Sequence, residues 1–220
     1  MVEPTRTSMS YNLEEQDQID NLRDFWNRWG TLISSIILAA GLAWAGYAGW
    51  QWWQARQATQ TSALFDQINK EISAGNLQKA VPAWTDLQGK YPDSPYAQMG
   101  GLAMAKAYAD AGKVALAETE LRWTAEHAPS QAYRAAALLN LSALQVDAKQ
   151  LQAALETVKQ SPSPAFDALF AARRGDIYAL LGQREQARKA YENALKALPP
   201  DAGYRQLVQL KLNSVGGDAS

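Results

Sequence analysis

The stretch DALFAARRGDIYALLGQREQARKAYENALKALPP, residues 167–200, decides the fold. Its apolar and small residues recur at helical spacing on both sides of Gly182, so it reads as two helices joined by a tight turn. Gly175 and Ala187 are small, which lets the two helices approach closely. Tyr178 and Tyr191 fill the space those small residues leave, and Ala194 extends the seam. Gly182 ends the first helix and Pro199 stops the second. Such a hairpin cannot bury its apolar face alone and needs similar neighbours.

These offsets resemble the tetratricopeptide pattern, and weaker versions recur upstream. One unit runs from Gln98, with Ala105, Tyr108, Gly112, Ala117, Leu121 and Pro129 in matching places. Another starts near Arg134, with Leu141, Leu144 and Ala153, and closes in the connector from Ser161 to Pro164. The first starts near Thr61, with Gly75, Ala80, Trp84, Leu87 and Pro92. The unit starts are separated by roughly 34 to 37 residues. The expected fold is all-α: about four helix pairs stacked as a right-handed solenoid. A last helix from Tyr204 to Val215, carrying Leu207, Leu210, Leu212 and Val215, is expected to cap it. The tail from Gly216 to Ser220 is expected to fray.

Ahead of the repeats lies an uncharged run, WGTLISSIILAAGLAWAGYAGWQWWQA, residues 29–55, bracketed by Arg28 and Arg56. A helix from Gly30 to Trp53 spans roughly 35 Å, enough for a hydrocarbon core of about 30 Å. Trp26 and Trp29 flank one end, and Trp50, Trp52 and Trp53 the other, as in an aromatic belt. A buried core helix would not place its tryptophans this way, so the run is read as a membrane helix. Ala43-Trp44-Ala45 resembles a signal-peptide cleavage site. The long acidic lead and the continuation of the run to Trp53 favour an uncleaved anchor. Residues 1–10 are polar and expected to be disordered. From Glu14, Ile19, Leu22, Phe25, Trp26 and Trp29 form the apolar face of a short amphipathic helix leading into the anchor. Arg23 and Arg28 before the span, against Arg56 after it, put the N-terminus in the cytoplasm.

The rest of the composition excludes more than it suggests. The 220-residue chain has 21 basic and 22 acidic side chains and a net charge of −1, which argues against nucleic-acid binding. With no cysteine there is no disulfide or thiolate chemistry, and one histidine rules out multi-histidine metal sites. His127 reads as a surface or helix-end residue. Asp167 with Asp176, and Glu118 with Glu120, read as solvated carboxylates. Gly100-Gly101 reads as a close-packing site inside a helix rather than a phosphate loop. No catalytic residue, cofactor or metal is expected.

Binding is expected at two surfaces. Gly41, Ala45 and Gly49 form a ridge of small residues that would let another membrane helix approach closely, although small residues are also common in any membrane span. The second is the concave face of the solenoid. In this register it is lined by Phe65, Asn69 and Ile72; Met99, Leu102, Lys106 and Ala109; Leu138, Ser142 and Gln145; Leu169, Ala172, Asp176 and Ala179. The mix is largely apolar and lacks the Lys/Asn/Arg cluster with which chaperone-binding repeats clamp a terminal carboxylate. It suits an apolar peptide, a partner helix or the chain's own C-terminal helix. Some of these residues could equally be ordinary inter-repeat core.

The acidic pre-membrane helix YNLEEQDQIDNLRDFWNRWG, the Trp-rich exit of the anchor, the degenerate repeats and the ending LVQLKLNSV together resemble the YfgM family, ancillary subunits of the bacterial SecYEG translocon. The resemblance implies a single-pass inner-membrane protein. Its parts would be a cytoplasmic segment (1–28), a transmembrane helix (29–55) and a periplasmic tetratricopeptide-like domain (56–220). It also implies a non-enzymatic scaffold that associates with the SecYEG channel and a membrane-anchored periplasmic chaperone of the PpiD type, assisting transfer of translocated client proteins. A link to envelope-stress signalling is attributed to the family as well, which leaves a regulator acting through protein binding as the alternative. A component of cell-envelope assembly is a third reading. The family has no established catalytic residues to carry over.

Overall fold

The computed structural model describes the backbone of residues 9–216, and the side chains of Arg23 and of residues 25–216. Residues 1–8, the side chains of Ile19 and Leu22, and the tail beyond Gly216 lie outside it. Among the described residues there are helices and no strand. They are α1 (Met9–Ser73), α2 (Leu77–Lys90), α3 (Pro95–Asp110), α4 (Val114–His127), α5 (Gln131–Asp147), α6 (Leu151–Thr157), α7 (Asp167–Leu180), α8 (Arg184–Ala197) and α9 (Tyr204–Ser214). A single 3₁₀ turn, Pro164–Phe166, precedes α7. The chain divides into two compact units, one up to Gln57 and one from Ala58.

The first unit is helical throughout its described part. Within Phe25–Ser73 lies an 18-residue window of mean hydropathy 1.6, none of it buried by protein. Ile37, Leu38, Leu42 and Trp44 are each at least 65% exposed. A soluble core helix would hide these side chains, so their exposure fits lipid contact. Polar groups in the run stay bonded along the helix: Ser35 Oγ donates to Thr31 O at 2.7 Å, and Gln51 Nε2 to Tyr47 Oη at 2.6 Å. At the exit, the Arg56 guanidinium lies 5.3 Å from the Trp52 ring centroid, a cation–π contact suited to the headgroup level.

Helix α1 continues to Ser73 because no glycine or proline interrupts residues 50–74. Its end is set by Gly75 at φ +73°.

In the second unit α2 pairs with the C-terminal part of α1, and α3/α4, α5/α6 and α7/α8 form the next three pairs. One turn geometry links every pair. Gly75, Gly112, Lys149 and Gly182 all have positive φ, between 64° and 73°. In each turn that residue's N–H bonds back three residues, and the next N–H bonds back five. Asn76 N to Glu71 O, Lys113 N to Tyr108 O, Gln150 N to Gln145 O and Gln183 N to Tyr178 O span 2.8–2.9 Å. This is the Schellman closure, which needs a left-handed residue and favours glycine.

The third turn carries lysine instead, and this shifts the sequence-based register by one. Counted from the turn residue, the small residue five places on is Ala80, Ala117, Ala154 and Ala187, each fully buried. Ala153, expected at that place, is exposed. Seven places before the turn stand Ala105, Ser142 and Gly175, where the paired helices meet. Nine places after it stand Trp84, Leu121, Val158 and Tyr191. All are buried.

Gly175 lets α7 and α8 meet closely: a Cβ there would lie 2.5 Å from the Tyr191 ring. Gly100 and Gly101 serve the same end, since a Cβ on either would meet the Trp84 ring at 3.2 Å, and on Gly101 Thr124 Oγ1 at 2.1 Å. Carbonyls at the ends of second helices are capped by arginines from the following helix. Arg134 reaches Ala128 O, Arg174 reaches Val158 O, and Arg205 reaches Leu195 O, at 2.7–3.0 Å. The capping helix α9 buries Val208 and Leu212, while Leu207 and Leu210, expected on its buried face, are exposed.

Candidate functional site

The first helices of the pairs, α3, α5 and α7, leave two cavities between them. One, of about 250 Å³, is lined from α3 by Leu102, Ala105, Lys106 and Ala109, and from α5 by Asn140, Ala143, Leu144 and Asp147; Leu121 of α4 completes it. The other, also about 250 Å³, lies between Leu139 of α5 and Leu169, Arg173 and Asp176 of α7. Tyr204 and Lys211 of α9 close it.

The sequence-based positions divide accordingly. Leu102, Lys106 and Ala109 meet at the first cavity, and Leu169 and Asp176 at the second. Phe65 and Ile72 pack instead against the first core, with the Phe65 ring 5.8 Å from that of Tyr96. Asn69, Met99 and Ala179 are partly buried and line neither cavity. Ala172 is fully buried, so it offers no surface. In the third pair the one-residue slip turns the expected face inward. Leu138 is partly buried and packs against the core of Phe170 and Ile177. Ser142 is buried and donates to Ala154 O at 3.3 Å. Gln145 is 1% exposed and accepts from Thr157 Oγ1 at 2.8 Å. The groove residues of α5 are Leu139, Asn140, Ala143, Leu144 and Asp147. Recognising Lys149 as the left-handed turn residue would have found them.

The electrostatics correct two further readings, those of Asp176 and Glu120. Asp176 is no free carboxylate: it accepts from Lys211 Nζ at 2.8 and 2.9 Å and from the Tyr191 hydroxyl at 2.9 Å. Burial, and then the hydrogen bond to Asp176, push the Tyr191 hydroxyl well above its ordinary range. Asp167 is exposed, as expected, and accepts from Ser161 Oγ. Glu120 is buried and accepts from the Trp84 indole at 2.9 Å. Burial raises its carboxyl pKa, the Trp84 bond offsetting part of that rise; burial and then the nearby Glu120 raise the Tyr108 hydroxyl. The Trp84 ring meets Trp123 edge-on at 5.1 Å, and His127 stacks on Trp123 at 4.7 Å. His127 also donates Nδ1–H to Trp123 O at 2.9 Å, a structural use of the imidazole. Among the described residues no three carboxylates or imidazoles gather as a metal site.

On the anchor, Gly41, Ala45 and Gly49 are exposed, and a Cβ on either glycine would meet nothing within 4 Å. The expected surfaces therefore correspond to an exposed apolar helix and to two cavities on the first helices of the repeats.

The tetratricopeptide repeat-like domain family matches residues 23–217. A protein of Neisseria gonorrhoeae named ancillary SecYEG translocon subunit is 29% identical over 208 residues, covering 94% of this chain and 100% of that relative. One of the same name from Escherichia coli is 24% identical over 202 residues, covering 91% and 96%. Among solved structures, a tetratricopeptide repeat protein from Parabacteroides merdae superposes with a TM-score of 0.53 at 15% identity, over 71% of this chain and 60% of that one. That last similarity is one of fold.

Proposed function

We propose, from the premise that this chain belongs to the YfgM family of tetratricopeptide repeat-like proteins, that it is a non-enzymatic scaffold anchored beside the SecYEG translocon. One observation carries the reading: similarity to proteins named as translocon subunits runs through anchor and repeats alike, over 94% of this chain. The exposed apolar helix supplies placement in the inner membrane. The small-residue ridge at Gly41, Ala45 and Gly49 is a surface for a translocon or chaperone helix. Arg23 and Arg28, with Arg56 opposite, favour a cytoplasmic N-terminus and a periplasmic repeat domain. There the cavities at Leu102, Lys106, Leu169 and Asp176 would receive a chaperone of the PpiD type or a client segment. With recognition surfaces and no assembled reaction centre in the reading, no turnover is expected.

The test is purification of the full chain from membranes in mild detergent, with its companions identified. Recovery of channel subunits with a periplasmic chaperone supports the scaffold. Recovery of a signalling component in their place supports the envelope-stress regulator. Replacing Gly41, Ala45 and Gly49 together with leucine should cut recovery of the channel; unchanged recovery removes the ridge from the interface.

A further inference from the structure

The second cavity has an electrostatic peculiarity that the first lacks. Its two cations, Arg173 and Lys211, face one anion, Asp176, and Asp176 is already held by Lys211 and the Tyr191 hydroxyl. Arg173 has no hydrogen-bond or ion-pair partner among the described residues, although it is half-buried in the cavity wall. A half-buried guanidinium without a counter-charge is a place for an anion, and its planar fork suits a carboxylate. The walls beside it are Leu139 and Leu169. They suit the methylenes of a glutamate side chain better than the polar backbone of a chain end.

The first cavity lies on the other side of the same helix, α5, and its leucines Leu102 and Leu144 are suited to apolar side chains. Neighbouring packed helices are about 8–10 Å apart, so a chain crossing α5 from one cavity to the other spans about three extended residues.

Resting on the proposed use of this face for protein binding, we infer that the groove selects a peptide segment carrying apolar side chains and, about three residues along, an acidic side chain that pairs with Arg173. The occupant is an acidic, apolar segment of a partner protein.

The test uses the full chain in lipid nanodiscs and fluorescein-labelled, C-terminally amidated decapeptides. One peptide carries two adjacent leucines with a glutamate three positions later; its counterpart carries glutamine there. By anisotropy the glutamate peptide should bind at least fivefold more tightly. Arg173→Gln should abolish that ratio, and Arg173→Lys should restore most of it. Both variants should keep the thermal melt of the parent, because Arg173 makes no bond in the fold. Leu102→Asp should weaken both peptides about tenfold while keeping their ratio. Equal affinity for the two peptides, no binding of either, or a ratio that survives Arg173→Gln overturns the inference. Channel recovery with the same preparation is scored separately, so the scaffold reading stands or falls on its own result.

Discussion

The third and fourth helix pairs share one architecture but achieve it with different residues. The fourth has glycine at the turn (Gly182), glycine where the helices cross (Gly175) and tyrosine filling the gap (Tyr191). The third puts Lys149, Ser142 and Val158 in the same places, and its second helix ends at Thr157. The turn geometry survives the loss of glycine because the two closing hydrogen bonds and the buried seam outweigh the strain of one left-handed lysine. What the pairs share is a backbone conformation, and glycine is only its commonest sign.

The largest predicted difference is at the crossing. Gly175→Val should destabilise the repeat domain by about 3 kcal/mol, because the Tyr191 ring is held by Asp176 and cannot swing aside. Ser142→Ala at the equivalent place should cost about 1 kcal/mol or less, since only one long hydrogen bond is lost. Urea unfolding followed by circular dichroism measures both. Equal losses would show that the crossing at Gly175 is no tighter than the one at Ser142.

Next comes the turn. Gly182→Ala should destabilise by about 1 kcal/mol, while Lys149→Gly should stabilise by up to about 1 kcal/mol, less the entropy glycine adds to the unfolded chain. Opposite shifts in melting temperature are the expected signature. A loss at both positions would show that the lysine turn is stabilised by something other than its closing bonds.

The smallest effect lies at the junction of α2 and α4, where the Glu120 pKa is raised in the fold. A raised carboxyl pKa favours the protonated form, so its contribution is most favourable below the unfolded pKa and is lost as pH rises through the folded value. Glu120→Gln should therefore gain modestly in melting temperature at pH 7–8 relative to the parent, with the gain shrinking towards pH 4. A gain that grows with acidity would contradict the assignment.

The same contrast explains what the sequence made legible. The anchor was plain because lipid demands a long uncharged run, and the fourth pair because each of its positions uses the commonest residue for its task. The third pair was misplaced by one residue because Lys149 carries no sign of a left-handed turn, and one residue rotates a helix face by about 100°. That rotation exchanged Leu139 for Leu138 and Ala143 for Ser142. Glu120 and Asp176 were misread for another reason: their partners, Trp84 and Lys211, are distant in sequence and meet only through stacking. Arg173 carries no sign in the sequence, because its distinction is the absence of a partner among the described residues.

In the proposed function this concave face meets the translocation machinery. Site-specific photo-crosslinking in living cells tests it most directly, with the reactive residue placed in turn at Leu102, Leu139 and Gln145. Adducts to channel or chaperone subunits are expected from Leu102 and Leu139, which line the cavities, and none from Gln145, which is 1% exposed. Adducts from Gln145 alone, or no translocation component from any of the three, would contradict it.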